Sequence, residues 1–229
     1  MSSRPDPVLI DYRLLRALVG AIAFALPIVV CVTAGISLPS ISDAYHTPAR
    51  DWFVGLLFIV GAYLMVYNGH SRLQGVASTL AGLAAIVVAL VPTPPLTPKG
   101  VGAEITESLG WLHFGAALVL FGVLTFFCFG PFYQRAKSKP GKAKRRARVY
   151  LVCGSVMIAA MAIIALYLIW KTVTDATGTR AFGVVFWGEW AALAAFGVAW
   201  LTAGKLLPGL CNPDERPALA PSWSARREP

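Results

Sequence analysis

Three ionisable side chains, Asp51, His113 and Glu189, stand inside or at the edge of long apolar runs, where a charge needs a reason. At the centre of a membrane helix a charge costs roughly 2.5–3.5 kcal/mol on insertion scales, so such groups usually face a bundle interior. A carboxylate and an imidazole are the usual pair for general acid–base chemistry. Ser42 adds a hydroxyl that a base could activate as a nucleophile. Asp43, Tyr45, His46 and Arg50 add hydrogen-bonding groups and a cation within the same short segment. Two activities fit: binding of a lipid headgroup, and a lipid-modifying hydrolase or acyltransferase with Glu189, His113 and Asp51 as its candidate catalytic groups. Ser42, Asp43, Tyr45 and Arg50 are then the substrate-binding set.

Each residue also has a plainer reading. Asp51 complements a helix N-terminus, His113 is a hydrogen-bonded core histidine, and Tyr45 and His46 are ordinary loop residues. Arg50 is either a headgroup anchor or a partner for Glu189. Glu189 is hardest to explain away, because it lies deepest in its apolar run and has small neighbours. No HExxH, GxSxG or glycine-rich phosphate loop occurs. A metal site can be drawn from His46, His113 and carboxylates, but the spacing does not demand it, and neither metal nor cofactor is expected.

The elements that must position these residues are membrane helices. Charged residues make up 14% of the 229 and apolar ones 57%, with mean hydropathy +0.65, which is too apolar for a water-soluble domain. The apolar residues fall in six blocks, about 17–38, 52–67, 76–91, 109–132, 149–170 and 182–201. About 20 apolar residues span a bilayer core and about 17 suffice. The first block is too long for a signal-peptide core and is read as a retained helix bent at Pro27. The fold expected is an all-α bundle of six transmembrane helices in one domain over 1–207, followed by a disordered tail over 208–229.

Charge orients that bundle. With six spans, sixteen of the twenty Lys and Arg fall on one side and only Arg50, Lys99, Lys171 and Arg180 on the other. Positive residues mark the cytoplasmic side, so both termini are expected there, in a plasma (inner) membrane. Half of the sixteen lie in one loop over 133–148, and Arg135, Lys137, Lys142, Lys144, Arg145, Arg146 and Arg148 are expected to contact inner-leaflet headgroups. Recruitment of a cytoplasmic protein partner by that loop is a further reading. Nucleic acid is not expected, because no aromatic residues interleave the charges.

Aromatic residues frame the spans as interfacial anchors would: Trp52, Trp111, Trp170 and Trp187 outside, Tyr67, Tyr133, Tyr150 and Trp200 inside. Small residues at Ala77, Ala81, Ala85 and Ala89, and at Gly188, Ala192 and Ala195, predict close helix contacts. Thr47 predicts an N-cap for the second span, with Pro48 in its first turn. The outer starts of spans two, four and six carry Asp51, His113 and Glu189, and a headgroup pocket is expected between those three spans. Cys31, Cys128, Cys153 and Cys211 show no metal spacing and read as buried thiols.

Pro39-Ser40-Ile41-Ser42-Asp43 follows the first span, Pro48 starts the second, and Ala81-Gly82-Leu83, His113 and Glu189-Trp190 come in the third, fourth and sixth. This pattern resembles the DRAM-like membrane proteins, which join damage-regulated autophagy modulators, suppressor-of-four-kinase proteins and a GPI-anchor lipid-remodelling factor. It implies six helices with cytoplasmic ends, and lipid handling or partner recruitment at a membrane. The family's polar positions map onto Ser42, Asp43, His113 and Glu189. Its second span often begins with Pro-Glu and a Cys, where this chain has Pro48-Ala49-Arg50-Asp51, so a disulfide-dependent role does not carry over. Autophagy and GPI remodelling are not transferred.

Overall fold

A computed structural model describes residues 12–67, 69–93, 103–174, 183–212 and 215. The described residues are helical and contain no strand. The helices are α1 (Tyr12–Ala34), α2 (Arg50–Val66), α3 (Arg72–Leu90), α4 (Ala103–Phe127), α5 (Tyr133–Lys137), α6 (Lys142–Thr174) and α7 (Val184–Ala203). A π turn at Cys128–Phe132 joins α4 to α5, so that Leu109–Lys137 reads as one rod. Pro131 lies in that turn, where the Tyr133 N–H reaches back to the Cys128 carbonyl. Five helices are long and apolar enough to cross a bilayer: α1, α3, the α4–α5 rod, α6 and α7. The chain is an integral membrane protein. At 17 residues α2 is about 26 Å long, just under the roughly 30 Å hydrocarbon core.

The long helices form a ring in chain order, α1 to α2 to α3 to α4 to α6 to α7, closed by α7 against α1. Lipid tails are as apolar as leucine, so packing contact rather than burial draws such helices together. Small residues allow that contact. A Cβ on Gly20 of α1 would lie 2.8 Å from the Gly197 carbonyl oxygen of α7, and one on Gly197 would lie 2.9 Å from that of Gly20. Gly61 and Gly82 bring α2 and α3 together in the same way, and the Ser78 hydroxyl donates to the Leu64 carbonyl at 2.6 Å. The alanine ridge of α3 is buried at Ala81, Ala85 and Ala89, and Gly188 of α7 meets Ile164 of α6.

The two ends of the ring are filled differently. At one end the α1–α2 connection folds inward, burying Leu38, Ile41, Ala44 and Ala49. At the other, basic end, Tyr67, Phe127, Phe132, Tyr150, Phe196 and Trp200 make a chain of ring contacts with centroids 4.9–5.8 Å apart. This corrects the expectation that Tyr67, Tyr150 and Trp200 anchor at an interface. Wide rings fill the space that six converging helices leave, and the three are buried. Trp52, Trp111, Trp170 and Trp187 at the loop end are exposed, as anchors would be.

Two boundaries also differ from expectation. The basic loop over 133–148 is mostly helix, because α5 runs to Lys137 and α6 starts at Lys142. Only residues 138–141 turn, with Gly141 at φ 67. Lys and Arg are good helix formers and their stems can cover apolar surface, so apolar content alone left these basic residues outside the helices. The tail expected to be disordered from 208 is docked where it is described: Pro208–Leu210 forms a 3-10 turn, Cys211 is buried and Glu215 is ion-paired. The rest of that tail, 216–229, lies outside the described residues.

Candidate functional site

The inward-folded segment at the loop end is held by polar contacts to Glu189 of α7 and to Thr93 beyond the end of α3. Ser40 starts it: its Oγ accepts the Asp43 N–H at 3.1 Å, a local bond that favours a turn over continued helix. A 3-10 turn, Ser42–His46, follows. The Thr47 hydroxyl then accepts the Ala49 N–H at 3.1 Å and donates to the Ala44 carbonyl at 2.9 Å. Thr47 was expected to be the N-cap of the second span, but α2 begins at Arg50 with Ala49 at the cap position and no side-chain cap bond. The Thr47 hydroxyl instead closes the turn through Pro48 that leads into the helix.

Glu189, in the second turn of α7, holds this segment directly. One carboxylate oxygen accepts the Ile41 N–H, and the other accepts the Ser42 hydroxyl at 3.0 Å. The Ser42 and Ser40 hydroxyls are 2.9 Å apart. On the far side, Thr93 Oγ1 donates to Asp43 Oδ1 at 3.5 Å, and His46 Nε2 donates to the Thr93 carbonyl at 2.7 Å. Two residues earlier, the Val91 carbonyl beyond the end of α3 accepts from His113 Nδ1 at 2.6 Å. Polar contacts therefore run from α7, through the segment over 40–46, to the end of α3 and on to α4. Burial raises the Asp43 pKa, against the opposing pulls of Ser40, His46 and Thr93.

Glu189 and His113 stand at opposite ends of this path and bond different groups. Each bonds a backbone group, the buried Ile41 N–H in one case and the Val91 C=O in the other. Ser42 and Asp43 are joined to Glu189 as one network. Arg50 is not a partner of Glu189: it is exposed and lies over Tyr45, 4.6 Å from the ring centroid and 3.1 Å from the hydroxyl. Asp51 is exposed in the first turn of α2 and makes no side-chain hydrogen bond among the described residues. Among the described residues no three His, Cys, Asp or Glu side chains gather into a metal-holding group.

The hollow at this end, about 480 Å³, lies between the end of α1 and the start of α7. The expected position was between the second, fourth and sixth spans. Cys31, Gly35, Ile36, Ser37, Leu38 and Phe186 line it. Glu189 does not line it and bonds residues 41 and 42, which follow the last lining residue of this segment, Leu38.

Of the seven residues expected to face inner-leaflet headgroups, Arg146 is buried instead, while Lys142 and Arg135 are half-buried and bond protein groups. Arg146 is 4% exposed and bonds Glu215 through two nitrogens at 3.1 and 3.2 Å and the Leu210 carbonyl at 2.6 Å. Lys142 reaches the Cys211 carbonyl at 2.9 Å, and Arg135 the His70 ring at 2.6 Å. Lys137, Lys144, Arg145 and Arg148 are exposed. Sequence reasoning missed Thr93, Arg16 and Glu215. For Glu215 the available signal was the acidic pair Asp214-Glu215 in a tail beside a surplus of cations.

Comparison with protein-family models, curated proteins and solved structures gave no match. The DRAM-like resemblance therefore rests on the short motifs quoted above.

Proposed function

We propose that the protein crosses the bilayer six times, keeps both termini in the cytoplasm, and binds a lipid headgroup at the loop end of the bundle. The count of six takes α2 as a span. Its 17 residues reach the lower limit for crossing, and it packs in the ring between α1 and α3. The orientation rests on the sixteen-to-four division of positive residues. The DRAM-like resemblance suggests lipid handling in the same region.

The observation that carries the binding reading is the hollow of about 480 Å³ between α1 and α7. Its volume is in the usual range for small-molecule sites. Cys31, Ile36, Leu38 and Phe186 offer apolar walls to an acyl chain, while Ser37 and the adjacent backbone offer polar groups to a headgroup. Glu189 and Ser42 act as positioning residues, because their bonds end on protein groups rather than in the hollow.

A blocking substitution tests this without disturbing the Glu189 network. Ser37→Trp should reduce the phospholipid retained after detergent purification severalfold, measured by native mass spectrometry, and leave lipid-free thermal stability near wild type. Glu189→Gln should lower both. Lipid retention unchanged in Ser37→Trp would remove the hollow as the site.

A second reading is favoured by one contact, the Ser42 hydroxyl donating to Glu189 at 3.0 Å, which is the geometry of a nucleophile and its base. A hydrolase or acyltransferase would then release product from phospholipid, and Ser42→Ala would abolish it. Ser42 is 5% exposed, which favours the binding reading. Recruitment of a cytoplasmic partner would rest on the exposed Lys137, Lys144, Arg145 and Arg148, and neutralising those four should abolish it in a pull-down.

A further inference from the structure

At the basic end, six cations surround one hollow of about 260 Å³: Arg13, Arg16, Arg135, Lys139, Arg146 and Lys205. They come from α1, α5, the turn after α5, α6 and the segment after α7, so the bundle itself assembles them. Among the described residues one carboxylate answers them. Glu215 accepts from Arg146 at 3.1 and 3.2 Å and from Lys205 at 3.2 Å, while its backbone carbonyl accepts from Arg13 at 3.1 Å.

Crowded like charges are costly unless anions are shared among them. Burial, then Arg146, lowers the Lys205 pKa, and burial, then Arg135 and Arg16, lowers that of the adjoining His70. Lys205 also holds a left-handed backbone, φ 62, which is uncommon for a side chain with a Cβ. The Asn212 N–H, with help from Arg146 and Lys205, holds the Glu215 carboxyl down at about 2. Most telling is Arg16. Its Nε is buried and has no hydrogen-bond partner among the described residues, while its Nη1 lies 3.5 Å from the Tyr67 hydroxyl. A buried donor without an acceptor costs about 1–3 kcal/mol.

We infer that this hollow is a phosphate-binding site, for a phosphorylated headgroup or a free phosphate, and that Glu215 occupies its edge as an internal competitor. Guanidinium forks match phosphate oxygens two at a time, as Arg146 already matches the Glu215 carboxylate. A phosphate offers more acceptor oxygens and more charge than one carboxylate, so it can serve Arg16, Arg135 and Lys139 as well. The hollow has the volume of roughly nine waters at about 30 Å³ each, enough for a phosphate with part of its hydration shell or its ester group. When phosphate displaces Glu215, the docked turn over 208–212 loosens. That exposes Cys211, whose thiol is buried against the Lys205 and Leu207 carbonyls at 3.0 and 3.1 Å.

The full-length protein in nanodiscs tests this in two arms. One adds inorganic phosphate to neutral-lipid discs against chloride of equal ionic strength, and the other places phosphatidate in the discs. The readouts are the thermal unfolding midpoint and the rate of Cys211 alkylation, followed by peptide mass spectrometry. A rise in midpoint with severalfold faster Cys211 alkylation is expected. A response to phosphatidate alone identifies a lipid source, and a response in both arms adds the free anion; either supports the site. Glu215→Gln should tighten the apparent affinity roughly tenfold, and Lys139→Gln should weaken it by a similar factor. Lys139 is exposed and makes no ion pair among the described residues, so that variant should fold even if Arg16→Gln does not. No response in either arm, or unchanged affinity in both Glu215→Gln and Lys139→Gln, overturns the proposal.

Discussion

At the scale of single residues, the informative groups are those whose partners lie on other elements. Glu189 accepts two hydrogen bonds from a segment nearly 150 positions earlier in the chain. Replacing Glu189 by Ala should cost about 1–3 kcal/mol, because the buried Ile41 N–H and Ser42 hydroxyl lose their acceptor. Ser42→Ala should cost about 1 kcal/mol. The two should be non-additive by about 0.5 kcal/mol or more in a double-mutant cycle on thermal or denaturant unfolding, and strict additivity would mean they act separately. Sequence marked Asp51, His113 and Glu189 as residues needing an explanation, since charge in or beside an apolar run is visible without coordinates. It gave no hint of which groups they would meet. His113 bonds a backbone carbonyl, and any residue type can supply one. Arg50 was equally suited by charge to Glu189 or to a headgroup, and only geometry turned it to Tyr45.

At the scale of elements, the apolar blocks gave the helices, and their ends were the uncertain part. Block edges follow the change from apolar to charged residues, whereas helix ends follow capping and backbone bonds. That is why α6 begins seven residues before the apolar block at 149 and α5 carries basic residues into helix. Small residues were legible as contact surfaces, although their partners were not. Gly20→Val and Gly197→Val should each destabilise the α1–α7 contact by about 1–3 kcal/mol or block assembly, because a Cβ there meets backbone within 3 Å. Gly122→Ala is the matched control: nothing lies within 4 Å of its Cβ position, and its stability in detergent should equal or slightly exceed wild type. Equal tolerance at all three positions would show that α1 and α7 do not cross there.

At the scale of the whole molecule, the bundle has two unlike ends. One is closed by a buried polar segment beside an open hollow, the other by an aromatic plug under a ring of cations. Composition and charge distribution made the membrane class legible from sequence. The aromatic plug was not legible, because a Trp near the end of an apolar block looks the same whether it faces headgroups or a neighbouring helix. With six spans, reporter fusions at residues 1 and 229 should both register as cytoplasmic, whereas fusions at opposite sides would require five. The central claim concerns the hollow between α1 and α7. An experimental density map of the protein in phospholipid nanodiscs tests it most directly. A lipid should appear with its headgroup against residues 35–38 and an acyl chain along Phe186. A hollow closed by protein side chains, with lipid spread evenly around the ring, would contradict it.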